Sequence, residues 1–162
     1  MKSISNTELK QFSEEITDTC FVRVEKNGDN GILYYKGGNI INACINNTYG
    51  KTKANEILTW KDAKFRKVKI DSVSKFQSED LKYVFDIIEF NGLSADVYLK
   101  QKGNIIVLSF SEGYLISVIP EVEVNKDFIK NLTNIKNQKV KMKLTGEKTG
   151  SIKVFVNELL NE

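Results

Sequence analysis

The stretch from Asn30 to Ala43, NGILYYKGGNIINA, most constrains the fold, because two apolar runs meet at Gly37-Gly38. Glycine takes positive φ without steric cost, so a Gly-Gly pair between apolar runs predicts a tight antiparallel hairpin. A strand upstream extends it to a meander: Cys20, Val22 and Val24 alternate with Phe21, Arg23 and Glu25, and Lys26 to Gly31 carries two Asn/Asp/Gly turn signals. Strands are expected from Cys20, over 32–36 and over 39–45.

Helical patterns flank this meander. Ser5-Asn6-Thr7-Glu8 has the form of a capping box, and Leu9, Phe12 and Ile16 follow at i, i+3 and i+7, predicting a helix over 7–16. Ala54, Ile57 and Leu58 predict a second short helix from near Thr52 to near Trp60, and alternation from Phe65 to Ile70 predicts a strand.

The second half repeats the theme. Asp71 to Gln77 reads as a polar connector, after which Ser78 can cap a helix carrying Leu81, Val84, Phe85 and Ile88. Strands are expected over 95–100, 104–110 and 114–119, with Ile105-Ile106-Val107-Leu108 apolar on both faces, as in a buried central strand. A shift of 75 positions lays Val22 on Val97, Val24 on Leu99, Gly28 on Gly103, Leu33 on Leu108, Gly38 on Gly113 and Ile41 on Ile116 without a gap. An internal duplication leaves such a pattern, and apolar alternation in two unrelated meanders would leave part of it.

Past Pro120, Asn125 can cap a further helix, and Lys139 to Leu144 alternates lysine with apolar residues as a strand. Ile152, Phe155, Val156, Leu159 and Leu160 favour a C-terminal helix, with Val154 and Val156 leaving a strand open. The expected class is α+β: two helix-flanked antiparallel β-meanders, with 1–72 as a first domain and 73–162 as a second half, read as a degenerate copy packed on the first.

Function is narrowed mainly by what is missing. The chain has no histidine, which removes the commonest general base and metal ligand together with every Ser-His or Cys-His nucleophile. Carboxylates such as Glu79, Asp80, Glu121 and Glu123 form no D-x-D-x-D loop, so no metal and no cofactor is expected. Gly146-Glu147-Lys148-Thr149-Gly150-Ser151 places its lysine before the second glycine, against the order a phosphate loop needs. Cys20 and Cys44 sit in alternating apolar runs and read as reduced, buried thiols, with a redox pair across the sheet as the alternative.

The net charge of +3 is mild and interspersed, so nucleic acid is disfavoured as a partner. Lys136, Lys139, Lys141 and Lys143 can form a basic stripe, with Tyr34, Tyr35, Trp60 and Phe65 as rings for a single strand, yet lysines commonly guard sheet faces and edges and those rings suit a core. The N-terminus lacks a signal-peptide core and no segment approaches the ~20 apolar residues of a membrane span, so a cytoplasmic location without membrane insertion is expected.

Residues 7–70 resemble the PATAN domain, a bacterial module first described at the N-terminus of PatA-type response regulators. The resemblance is carried by Leu9 and Phe12, Gly31-x-Leu33, Gly38-x-Ile40-x-x-Ala43, Gly50 and Ala54, and Leu58-x-Trp60 followed by Phe65. Asn42 stands where the family often has histidine, and Ala63 where it has the glycine of a turn. The resemblance implies a non-enzymatic adaptor in bacterial signalling, with a response regulator or a small GTPase system as the kind of partner. Tyr35, Gly37, Gly38 and Tyr49 are the candidate interaction surface, since turns tolerate exposed aromatic anchors. A small-ligand or nucleotide-sensing domain and a self-associating, homo-oligomeric structural protein are the alternatives.

Overall fold

The computed structural model describes residues 2–4 and 6–161, with side chains from residue 8 onward. The chain is α+β and divides into two compact units, Met1–Ile70 and Asp71–Glu162. Ser5, the expected capping residue of the first helix, lies outside the described residues.

In the first unit, β1 (Lys2–Ile4) leads into α1 (Asn6–Glu14). The meander follows as β2 (Cys20–Lys26), β3 (Asp29–Lys36) and β4 (Asn39–Ile45), with a short β5 (Thr48–Tyr49). Then come α2 (Thr52–Leu58) and β6 (Ala63–Lys69). The sheet order is β1-β6-β2-β3-β4-β5, every pair antiparallel. Leu9, Val22, Val24, Leu33, Tyr35, Ala43, Ala54 and Ile57 form its core, with Phe12, Ile40, Leu58, Trp60 and Phe65 packed against them.

Nearly every residue behind the PATAN resemblance therefore has a packing role. Gly31 is bare because a Cβ there would stand 2.9 Å from Ile57 Cγ1 and 3.0 Å from Trp60 Cζ3. The Phe12 and Phe65 rings meet at 4.4 Å. Ala63 is harmless in place of glycine, because the positive φ of that turn falls on Asp62, at 55°.

The second unit opens with a strand, β7 (Val73–Phe76), where a connector was expected. Its polar composition hid it: β7 is an edge strand, four residues long, paired only with β11 (Lys139–Leu144). Ser78 does not cap the next helix. A 3-10 turn, Ser78–Asp80, runs into α3 (Leu81–Asn91), and the Ser78 hydroxyl donates instead to the Ile135 carbonyl at 2.7 Å. The meander is β8 (Ala95–Gln101), β9 (Asn104–Ser111) and β10 (Tyr114–Ile119).

Asn125 caps α4 (Lys126–Asn134), its Oδ1 accepting from the Phe128 amide at 2.9 Å. The last helix, α5 (Val156–Leu160), is shorter than the apolar spacing predicts. Val154 is held extended by a bridge to Leu115, so its β-branched preference prevails before the helix starts.

The two units share one topology: edge strand, helix, meander, helix, and a last strand inserted between edge and meander, giving β7-β11-β8-β9-β10 in the second sheet. Ala95 stands 75 positions after Cys20, Asn104 after Asp29 and Tyr114 after Asn39, each pair opening matched strands. The details repeat as well. Ile41 and Ile116 are both the extra residue of a bulge. Gly38 and Gly113 both have φ of 88°, and their amides donate to the carbonyls of Asp18 at 3.0 Å and Leu93 at 2.9 Å.

Candidate functional site

Tyr35 is a core residue rather than an exposed anchor: it is fully buried, and its hydroxyl lies 2.6 Å from that of Ser13. The alternation that places Leu33 inward places Tyr35 inward too. Burial pushes the Tyr35 phenol up to about 12. Gly37 is exposed, whereas Gly38 and Tyr49 are half-buried. Gly38 is fixed by contact, since a Cβ would stand 2.5 Å from the Ile16 carbonyl oxygen. The turn therefore contributes Gly37 and part of Tyr49 to the surface, without the anchor ring the sequence reading placed there.

The other candidates resolve on register. Cys20 faces the core beside Tyr35, whereas Cys44 follows the inward Ala43 and so faces away, with β3 between their strands. Neither is in a disulfide, and their opposite facing removes the redox pair, while burial pushes the Cys20 thiol up to about 12. Tyr34 is fully buried, and Trp60 and Phe65 are half-buried in the first core. Lys148, the lysine of the glycine-flanked loop, is tied to the sheet through its Nζ to Asp96 Oδ1 at 2.8 Å. Among the described residues no group of His, Cys, Asp and Glu gathers as a metal site, and no helix is long and apolar enough to cross a membrane.

One carboxylate is perturbed. Burial, then the Glu158 and Asp86 charges, push Glu89 on α3 up to about 7, and its Oε1 is buried without a hydrogen-bond partner. A raised carboxylate pKa means that the folded state favours the proton, so this group's contribution is greatest below pH 4.5 and is lost as pH rises to about 7. Glu89→Gln is expected to stabilise the protein at pH 8 by about 1 kcal/mol, a 1.36 kcal/mol-per-unit conversion discounted for partial exposure, and to change little at pH 4. Denaturant midpoints at the two pH values check this.

The feature that stands apart is one face of the second sheet. Val97, Leu99, Leu108, Phe110, Val118, Val140 and Met142 point to the buried side, where Phe85 of α3 meets Phe110 at 5.9 Å. The alternate residues form rows across the strands on the other side. Ile119, Val107, Tyr98, Lys141 and Lys75 make one row. Ile105, Lys100 and Lys139 make the next, and Ser117, Ser109, Asp96, Lys143 and Val73 a third.

Much of this face is open to solvent, while Ser109 is buried and Asp96, Tyr98, Val107 and Ser117 are half-buried. Ile105 is 55% exposed, Ile119 62% and Val73 49%, and all five lysines are exposed. The expectation of a buried central strand over 105–108 thus fails for one of its faces. In the first sheet the matching positions Phe21, Ile32, Tyr34 and Cys44 are buried, whereas Glu25, Asn30 and Lys64, which match Lys100, Ile105 and Lys139, are exposed.

The electrostatics of the face are one-sided. Lys75 stands directly opposite Lys141, and Lys100 opposite Lys139, two like-charge cross-strand pairs of the kind that destabilise a sheet. Among the described residues no carboxylate pairs with any of these four. Asp96 is already engaged. Burial alone would raise its pKa, but hydrogen bonds from Lys148 and Ser109 outweigh that and hold it below the usual carboxylate range.

A cleft of about 820 Å³ opens on this face at the end where β7 stops and β11 begins, with Tyr98 and Ile105 among the lining and the four lysines around them. Sequence reading singled out Lys139, Lys141 and Lys143 but not Lys75 or Lys100, which only the strand pairing brings alongside. Lys136 precedes β11 and takes no part in the rows. No protein-family model matches the chain, and no similar protein was found among curated sequences or solved structures.

Proposed function

We propose that this chain is a non-enzymatic, cytoplasmic interaction module of the bacterial signalling type that the PATAN resemblance implies, built from two copies of one fold unit. We assign its partner-binding surface to the open face of the second sheet. The observation that supports this most is that face's pairing of exposed aliphatic side chains with uncompensated lysines. A sheet face kept only for solubility would intersperse both signs of charge and would not retain Ile105, Ile119 and Val73. Mixed apolar and charged area of this kind suits a protein partner whose charges complete the rows.

Comparative affinity capture tests the reading, with wild type, Lys139→Glu/Lys141→Glu and the control Lys51→Glu as baits. Companions held by wild type and the control but lost with the double variant are the expected result. Companions held equally by all three would move the binding surface elsewhere, and a bait without companions would overturn the adaptor reading. The cleft supports a second reading, a sensor of a small anionic ligand, which thermal shift against nucleotides addresses directly.

A further inference from the structure

From the same face, and resting on its reading as an interaction surface, we infer the chemical class of the partner: an extended acidic polypeptide segment carrying aliphatic side chains. Three observations point to it. Lys75, Lys100, Lys139 and Lys141 lie around the cleft with no carboxylate among them, so an occupant with negative charge relieves two like-charge pairs as it binds. Lys139 and Lys141 are alternate residues of one strand, separated by about 7 Å, which is also the spacing of alternate side chains on an extended segment. Glutamates at every second position thereby meet the lysines in step. Tyr98 and Ile105, also in the lining, offer an aromatic ring and a branched aliphatic chain, which accept an apolar side chain from the same segment.

Nucleic acid and free phosphate fit less well. Single strands are held by stacking on several rings, and the lining of the cleft holds two, Tyr98 and Phe76. Arginine, the residue whose planar fork matches phosphate, occurs in this chain only at Arg23 and Arg66, both in the first unit. Lysines meet carboxylates as point charges and need no such fork.

The test uses the full chain and a fluorescent synthetic peptide of alternating glutamate and leucine, followed by anisotropy. A second peptide with glutamine for glutamate, oligothymidylate and ATP serve as comparison ligands. The acidic peptide is expected to bind, to weaken roughly tenfold when salt rises from low to several times physiological strength, and to weaken at least about tenfold in Lys139→Glu/Lys141→Glu. The glutamine peptide is expected to bind far more weakly. A parallel variant, Lys139→Gln/Lys141→Gln, removes like-charge repulsion, so it folds at least as stably as wild type and still loses most of the affinity. No binding of the acidic peptide, or binding indifferent to both variants, overturns the inference. Tighter lysine-dependent binding of oligothymidylate or ATP also overturns it and reassigns the face. If the peptide fails while capture still shows partners lost with the double variant, the face stands as an interaction surface and only the acidic occupant falls.

Discussion

Tyr35→Ala is expected to destabilise the first unit by about 3–5 kcal/mol, the cost typical of truncating a buried aromatic ring. The side chain is fully buried among Leu9, Val22 and Leu33, and its hydroxyl is shared with Ser13, itself only 8% exposed. Truncation leaves both a cavity and an unpaired hydroxyl. Tyr35→Phe removes only the hydrogen bond and should cost about 1 kcal/mol. The matched position in the second unit shows the same logic in apolar form: Phe110 lies 75 positions after Tyr35, and Ile88 the same distance after Ser13. Denaturant unfolding of the two variants checks the ratio, and a Tyr35→Ala protein as stable as wild type would contradict the burial.

Gly38→Ala is expected to cost about 3 kcal/mol, and Gly113→Ala distinctly less. Both residues have φ of 88°, a conformation that costs a non-glycine residue about 1–3 kcal/mol, so strain alone does not separate them. Clearance does. A Cβ at Gly38 would sit 2.5 Å from the Ile16 carbonyl oxygen and 3.0 Å from Thr17 Cα, both backbone atoms that cannot swing aside. At Gly113 the nearest atom, the Glu89 carbonyl oxygen, stands 3.2 Å away, within reach of a small adjustment. The order of the two melting temperatures is the observable, and the reverse order would contradict the geometry.

Much of the fold was legible because its signals are local. Apolar alternation, Asn/Gly turns and the 75-position shift locate both meanders, and the structure repeats that shift down to the bulge residues Ile41 and Ile116. β7 was missed because an edge strand needs neither an apolar run nor length, and Val73-Ser74-Lys75-Phe76 reads as connector until β11 pairs with it. The C-terminal helix starts later than the apolar spacing of 152–160 predicts, because that spacing suits a helix face while the Val154 bridge to Leu115 is a non-local contact.

The candidate site was harder to read for a related reason. Tyr35 looks like an anchor beside a turn, and only register shows that it points inward. Lys139, Lys141 and Lys143 look like one solvated strand, whereas the unusual feature is that Lys75 and Lys100, far away in sequence, fall opposite lysines of that strand. A net charge of +3 over the whole chain conceals a face where charge of one sign collects. The residues behind the PATAN resemblance are core residues of the first unit, so they speak to packing there and are silent about the second sheet.

Hydrogen–deuterium exchange of the full chain, with and without the acidic peptide or a captured companion, tests the assignment of the binding surface most directly. Slowed exchange in β7, β8 and β11, with the Gly37-Gly38 turn and β5 unchanged, is the expected result. Slowing confined to that turn and β5, with the second sheet exchanging as in the free protein, would contradict it.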